Sequence, residues 1–454
     1  MEQKQTEQQN EIVLIANQNS NEAQSLKATT LSVTKGDELQ TNQKVVKGST
    51  VLEATVNMVK SGLGNGILFY PSVFNSCEII LSIIMMVLFG VSCYFCWLIL
   101  SKVICFQESL NRKDPNNQNL TIERAAGILF NRKVKIFLEV ITMIYAYGTA
   151  IGYCIFVKDS TKELAGEPIY VSLTALFIAI GTIIVKSIIA MNDYGSNFPS
   201  YKFFDFSEIP LQFGVFSFAY DINAFITEIH ASMEEKSKFP TVLRRYLTVS
   251  CILGIIVGTL GYLAFGDETN DIIFVNFGSM NGYGDVISVL YGIALTAGIL
   301  MFCFPIGYHL DNFIKVFVLK KHTEETNVSQ MILTRTAIFF SFGILSICIS
   351  GISSIFNLLG CVFCSVLTFA TPFLLLKRAQ VKDLILISLS TKKTQSDKEA
   401  QNFYQNISEQ KCTKKTLPRG KVFDIVCIIV FLFGLIGGIS GIVSTIIQLQ
   451  QEYS

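Results

Sequence analysis

Three glycines alternate at positions 62, 64 and 66 in the run Lys60-Ser61-Gly62-Leu63-Gly64-Asn65-Gly66-Ile67-Leu68-Phe69-Tyr70-Pro71, inside the first long apolar stretch of the chain. An interior glycine costs a helix about 1 kcal/mol relative to alanine, so three in five residues predict an interruption between Ser61 and Gly66. Backbone groups released inside a bilayer persist only where protein or a wet cavity satisfies them, which makes such an interruption a place for a small polar ligand. The same residues also read as close helix packing, because Gly62 and Gly66 form a small-xxx-small pair. Lys60, one turn earlier, is either a fixed positive charge that holds the broken region and faces the cavity, or a side chain that extends to the interface.

A second constellation lies at Ser217-Phe218-Ala219-Tyr220-Asp221, where Asp221 falls near the middle of an apolar segment. A carboxylate at that depth must be neutral, paired or hydrated, which suits a proton carrier or a polar contact between helices. Thr296, in Ala294-Leu295-Thr296-Ala297-Gly298, offers a hydroxyl either to a cation or to its own helix backbone. Glu228 and His230 sit nearer a segment end and read as an interfacial anchor or gate. Two segments with polar or irregular character at matched depth point to a transporter built from inverted repeats, its site lying between two discontinuous helices whose half-helix N-termini can face a carboxylate.

The elements that must position these residues are membrane helices. Half of the 454 residues are hydrophobic and 16% are charged, with a mean hydropathy of +0.47; soluble domains carry about 25% charge. A net charge of +1 gives no support for nucleic-acid binding. A spanning helix needs about 20 apolar residues. That rule predicts ten segments, near 51–75, 79–100, 134–157, 169–190, 209–229, 243–265, 285–314, 331–350, 354–376 and 422–447. Residues 1–48 read as a disordered cytosolic tail and 49–450 as one transmembrane domain. Ten of the twelve cysteines lie in or beside apolar segments and act as small apolar side chains. No metal site or cofactor is expected, and no paired carboxylates or nucleophile–histidine set suggests an enzyme.

Lys and Arg collect on the cytosolic side of a membrane. Residues 101–135 hold seven basic residues against three acids and 377–421 hold eleven against four, so both are predicted as cytosolic loops. Residues 265–285 hold four acids and no Lys or Arg, which places them outside. With these assignments the N-terminus is cytosolic, and the count of crossings fails in one place. Residues 229–245, with Lys236, Lys238, Arg244 and Arg245 against two glutamates, are predicted as cytosolic too, yet between them and the loop at 101–135 only three segments are visible where an even number is required. The conflict localises to 158–208, whose segment 169–190 is too short to cross twice. Either that segment is re-entrant or irregular, or a stretch encoding another helix is missing.

Lys60 to Pro71 resembles the first-helix signature Lys-x-x-x-Gly-x-Gly-x-Leu-x-x-Pro of the amino acid/auxin permease family, in its proton-coupled amino acid transporter branch. Phe218-Ala219-Tyr220-Asp221, then Glu228, then Lys238-Phe239-Pro240 resembles that family's sixth helix and following loop, and Gly261-Tyr262-Leu263-Ala264-Phe265-Gly266-Asp267 the end of its seventh. The resemblance implies an all-α, leucine-transporter-type inverted-repeat fold of eleven helices with discontinuous first and sixth helices, one more helix than the ten seen here. It implies amino acid transport driven by a proton or a sodium ion. It further implies that the unwound first helix, at Gly62 to Gly66, and the unwound part of the sixth, near Ser217 to Asp221, hold the substrate's backbone groups. The expected substrate-site residues are Ser61, Gly62, Leu63, Gly64, Asn65, Gly66, Ser217, Phe218 and Tyr220, and Lys60, Asp221 and Thr296 are expected to bear on coupling. Sodium-coupled relatives tend to carry Asn at the position of Lys60, which favours the proton. A non-transporting amino acid sensor on the same scaffold, or an incomplete chain one helix short, are the competing expectations; plasma membrane and endolysosomal or vacuolar membrane are equally compatible.

Overall fold

The computed structural model describes residues 48–110, 120–160, 169–193, 204–278, 328–348, 352–393 and 417–453, with single helical positions between 292 and 311. The predicted tail, Thr296 and residues 394–416 of the predicted loop lie outside the described residues.

The first segment folds as two helices, α1 (Val51–Gly66) and α2 (Tyr70–Cys77), separated by Ile67–Phe69. Thr50 and Glu53 start α1 with reciprocal bonds: Thr50 N–H donates to the Glu53 carboxylate at 2.7 Å and Glu53 N–H to the Thr50 hydroxyl at 3.3 Å. Two of the donors left open at a helix start are thereby satisfied. The interruption falls one turn after its predicted place, because α1 stays helical through Gly66. Pro71 explains the shift. It has no N–H for the Ile67 carbonyl and its ring crowds that group, so helical bonding cannot pass through; in the first turn of α2 it needs no partner.

The glycines serve close packing instead. A Cβ on Gly66 would lie 2.6 Å from Ala219 Cα, and one on Gly62 2.6 Å from Tyr246 Cζ. The stretch at residues 209–232 is the second broken element, α7 (Ile209–Ala219) and α8 (Ile226–Ser232), and its end at Ala219 is what Gly66 meets. The two discontinuous helices therefore touch at their breaks.

Around them lie α3 (Ile79–Leu110), α4 (Ile122–Leu129), α5 (Arg132–Ser160), α6 (Ile169–Asp193), α9 (Phe239–Phe265) and α10 (Ile273–Gly278). They are followed by α11 (Val328–Cys348), α12 (Ile352–Leu359), a π-helical run Gly360–Ala370, α13 (Thr371–Lys393) and α14 (Lys421–Tyr453). Helix α13 continues to Lys393, so residues 377–393 of the predicted loop are helical. Helix α6 has 25 residues without an internal break; an irregular element within it does not account for the parity conflict. Glycines at 254, 258 and 261 on α9 form a groove for α2: a Cβ at each would meet Tyr70, Phe74 and Pro71 respectively.

Among the described residues, five helical stretches are long and apolar enough to cross a membrane: Ile79–Leu110, Arg132–Ile155, Lys236–Glu268, Ser354–Leu384 and Lys421–Gln451. Large apolar side chains face outward, including Ile84, Val87 and Val91 on α3 and Val422, Ile425, Ile429 and Ile436 on α14, while Asp221, Asn223, Thr368 and Glu123 are buried. Apolar faces of that extent are what a lipid surround selects. At the opposite end of α1 from its break, Ser49 N–H donates to the Ser232 carbonyl at 2.8 Å and Glu234 N–H to the Ser49 carbonyl at 3.1 Å. This clasp joins the outer end of α1 to the outer end of α8.

Candidate functional site

The second break is held by bonds among its own residues. Asp221 N–H donates to the Phe218 carbonyl at 3.0 Å, and the Asp221 carboxylate accepts from Asn223 N–H at 3.2 Å. Local bonds of this kind compete with helical ones. The chain leaves helix over Tyr220–Phe225 and re-enters it with α8, where Ile226 N–H reaches the Ile222 carbonyl at 2.9 Å.

One carbonyl freed by this unwinding belongs to Tyr220, and it accepts from the Tyr246 hydroxyl of α9 at 3.0 Å. The same ring fills the notch at Gly62. Tyr246 thus touches both broken helices. Tyr246→Phe should leave the Tyr220 carbonyl without this donor, at a cost of about 1–3 kcal/mol; the check is a lowered midpoint of thermal unfolding in detergent, with an unchanged midpoint counting against the assignment.

Asp221 is 2% exposed. Besides the Asn223 N–H, its carboxylate accepts from the Asn223 side-chain amide and from the Thr368 hydroxyl at 3.1 Å. The Asn223 amide also donates to Thr368 Oγ1 at 2.6 Å. The Tyr145 hydroxyl of α5 and the Cys364 thiol lie beside the same carboxylate. Thr368 and Cys364 both belong to the π-helical run, a conformation that recurs at functional sites because it re-aims side chains.

An aromatic wall adjoins the breaks. Phe356 of α12 stacks on Phe218 with ring centroids 4.6 Å apart and meets Phe69, of the first break, edge-on at 5.1 Å. Tyr153 of α5 lies 6.4 Å from the same ring. The niche exists because α5 carries Gly152, where a Cβ would come within 2.5 Å of Phe356.

Of the residues singled out in the sequence, Leu63, Ser217, Phe218, Tyr220 and Asp221 are buried, Gly62 and Gly66 are packing contacts, and Lys60 and Ser61 are half-buried. Gly64 and Asn65 form the last turn of α1. Lys60 has no ion pair among the described residues. Asn223, Thr368, Tyr145, Tyr246 and Phe356 were not singled out. Only Asn223 carried a local signal, its i+2 spacing from Asp221, which allows an Asx-type turn; the others come from distant segments.

Two mutually packed discontinuous helices within an all-helical apolar body define a multi-pass membrane protein of the leucine-transporter-type fold. The crystal structure of a manganese transporter from Eremococcus coleocola, in complex with an aromatic bis-isothiourea substituted compound, shares this fold: its TM-score is 0.51 at 11% identity, covering 91% of this chain and 90% of that one. The sequence profile described as "Transmembrane amino acid transporter protein" matches residues 47–168 and 168–385. The chain belongs to that family.

Curated relatives include Vacuolar amino acid transporter 4 of Saccharomyces cerevisiae, 25% identical over 311 residues, covering 59% of this chain and 42% of that protein. Amino acid transporter ANT1 of Arabidopsis thaliana is 23% identical over 376 residues, covering 71% and 83%. Vacuolar amino acid transporter 7 of S. cerevisiae is 23% identical over 298 residues, covering 58% of each. The match thus spans less than half of the first relative and most of the second. The two profile matches meet at residue 168, inside the stretch where the parity count fails.

Proposed function

We propose that this chain is a secondary active transporter that carries amino acids across a membrane together with protons. The observation that carries the reading is the contact of two helix breaks at Gly66 and Ala219, with a buried carboxylate, Asp221, on the second. Main-chain groups released at Ile67–Phe69 and Tyr220–Phe225 would hold the ammonium and carboxylate that every amino acid shares, with Ser61 to Gly66, Ser217, Phe218 and Tyr220 around them. The adjoining aromatic wall of Phe69, Phe218 and Phe356 favours a neutral side chain on the substrate. Protons are preferred to sodium as the coupling ion because Asp221 is met by amide and hydroxyl donors, and because Lys60 already places a cation on α1. The family and its relatives' names support the substrate class; two of the relatives named are vacuolar, so an acidic organelle is the first compartment to examine, with the N-terminus in the cytosol.

Counterflow tests the transport reading. Proteoliposomes loaded with unlabelled neutral amino acids should accumulate the labelled form; ligand-induced thermal stabilisation without counterflow would instead favour a sensor. The clasp at Ser49 supplies a second check. The Ser49 and Ser232 hydroxyls lie 3.1 Å apart, so Ser49→Cys with Ser232→Cys should cross-link on mild oxidation and halt uptake at least several-fold, with recovery on reduction. Uptake unaffected by a formed cross-link would show that the ends of α1 and α8 need not separate during transport.

A further inference from the structure

We propose that the proton on Asp221 is read by Asn223 and Thr368, so that protonation turns the Asn223 amide and re-pairs the second helix break with the π-helical run. This rests on the proton-coupled reading above and assigns its transmission. In the structure the Asn223 amide nitrogen serves both the Asp221 carboxylate and Thr368 Oγ1, at 2.6 Å from the latter, while Thr368 donates its hydroxyl to the carboxylate at 3.1 Å. The Asn223 amide oxygen has no donor among the described residues, although Asn223 is only 4% exposed. Buried amide oxygens are rarely left so. An amide turned by 180° exchanges its oxygen and nitrogen.

That arrangement belongs to an ionised Asp221, which can only accept. Adding one proton converts the carboxylate to a donor, and the same amide nitrogen then faces an O–H. After the turn, Asn223 Oδ1 occupies the place between Asp221 and Thr368 and accepts from the new carboxyl O–H and from the Thr368 hydroxyl. The two N–H···O bonds from the amide, to the carboxylate and to Thr368 Oγ1, break, one O–H···O bond forms from Asp221 to Asn223 Oδ1, Thr368 changes its acceptor from Asp221 to Asn223, and the amide NH2 takes the place that the oxygen left. The orphaned oxygen gains two donors. Because Asp221 and Asn223 lie in the unwound Tyr220–Phe225 stretch and Thr368 in Gly360–Ala370, the exchange changes what holds those two irregular segments together.

The titratable groups facing Asp221 from the surrounding elements are Cys93 of α3, Tyr145 of α5, Tyr246 of α9 and Cys364 of the π-helical run. Thiols and phenols, with ordinary pKa values of about 8.5 and 10, do not exchange protons at mildly acidic pH. Asp221 is the carboxylate of this set, and the proton is assigned to it.

The test uses the full chain in proteoliposomes and reads the ratio of uptake driven by a pH gradient to counterflow at equal pH. Thr368→Val, which keeps shape and removes the hydroxyl, should lower that ratio about ten-fold, and Thr368→Ser should restore it to within about two-fold of the unsubstituted protein. A ratio unchanged in Thr368→Val, or one that Thr368→Ser fails to restore, overturns the proposal. If the valine variant does not fold, Asn223→Asp decides: a second carboxylate beside Asp221 should move the pH of half-maximal uptake upward by about one unit or more, and an unmoved profile overturns the proposal equally. Absence of gradient-driven uptake in the unsubstituted protein, with counterflow intact, would refute proton coupling itself and is distinguishable from either result.

Discussion

Asp221→Asn is expected to abolish accumulation driven by a pH gradient. The substitution keeps the shape of the side chain at a site 2% exposed and removes its ability to gain a proton. One pH unit is worth about 1.4 kcal/mol per proton, enough for about ten-fold accumulation of a neutral solute that moves with one proton. In the variant, labelled substrate inside proteoliposomes should equilibrate with the outside and go no further. Accumulation by the variant equal to that of the unsubstituted protein would remove Asp221 from the coupling step. The sign follows from the chemistry: the carboxylate must load from the acidic side and unload on the other, so uptake in the unsubstituted protein rises as the side of entry is acidified.

Gly66→Leu should eliminate transport by a different route. A Cβ at position 66 would sit 2.6 Å from both Cα and Cβ of Ala219, and neither is the movable end of a long side chain. Overpacking an ordinary core site costs about 1–3 kcal/mol; here the backbone of α7 itself must retreat, and with it the crossing of the two breaks. Loss of both counterflow and gradient-driven uptake, with a lowered thermal midpoint, is the expected outcome. Full counterflow in this variant would mean that the breaks need not touch.

The family relationship and the helical membrane architecture were legible in the sequence because apolar run length and a short signature sufficed to state them. The positions of the breaks were less so. Alternating glycines at 62, 64 and 66 drew the first break onto themselves through their entropic cost to a helix, yet Gly62 and Gly66 are needed by neighbours 184 and 153 residues away in sequence, Tyr246 and Ala219. The residue that interrupts the helix is Pro71, whose missing N–H acts on Ile67. At the second break the acid was visible from its depth; Asn223 was not singled out although its i+2 spacing was a local signal, and Thr368 sits in Leu367-Thr368-Phe369 like any threonine in an apolar helix. It reaches Asp221 from the π-helical run, 147 residues away in sequence. Glu53 closes a capping box with Thr50, a pairing that hydropathy does not show. In each case the missing information was a long-range contact or a local hydrogen bond, neither of which periodicity encodes.

The central claim is that amino acids and protons move together through the crossing of two broken helices. Its most direct measurement is uptake of labelled neutral amino acids into proteoliposomes of the full chain, with pH and sodium gradients imposed separately. Accumulation under the pH gradient, none under sodium alone, and loss of that accumulation in Asp221→Asn are predicted. Accumulation under sodium alone, or no uptake under either gradient, would contradict the account.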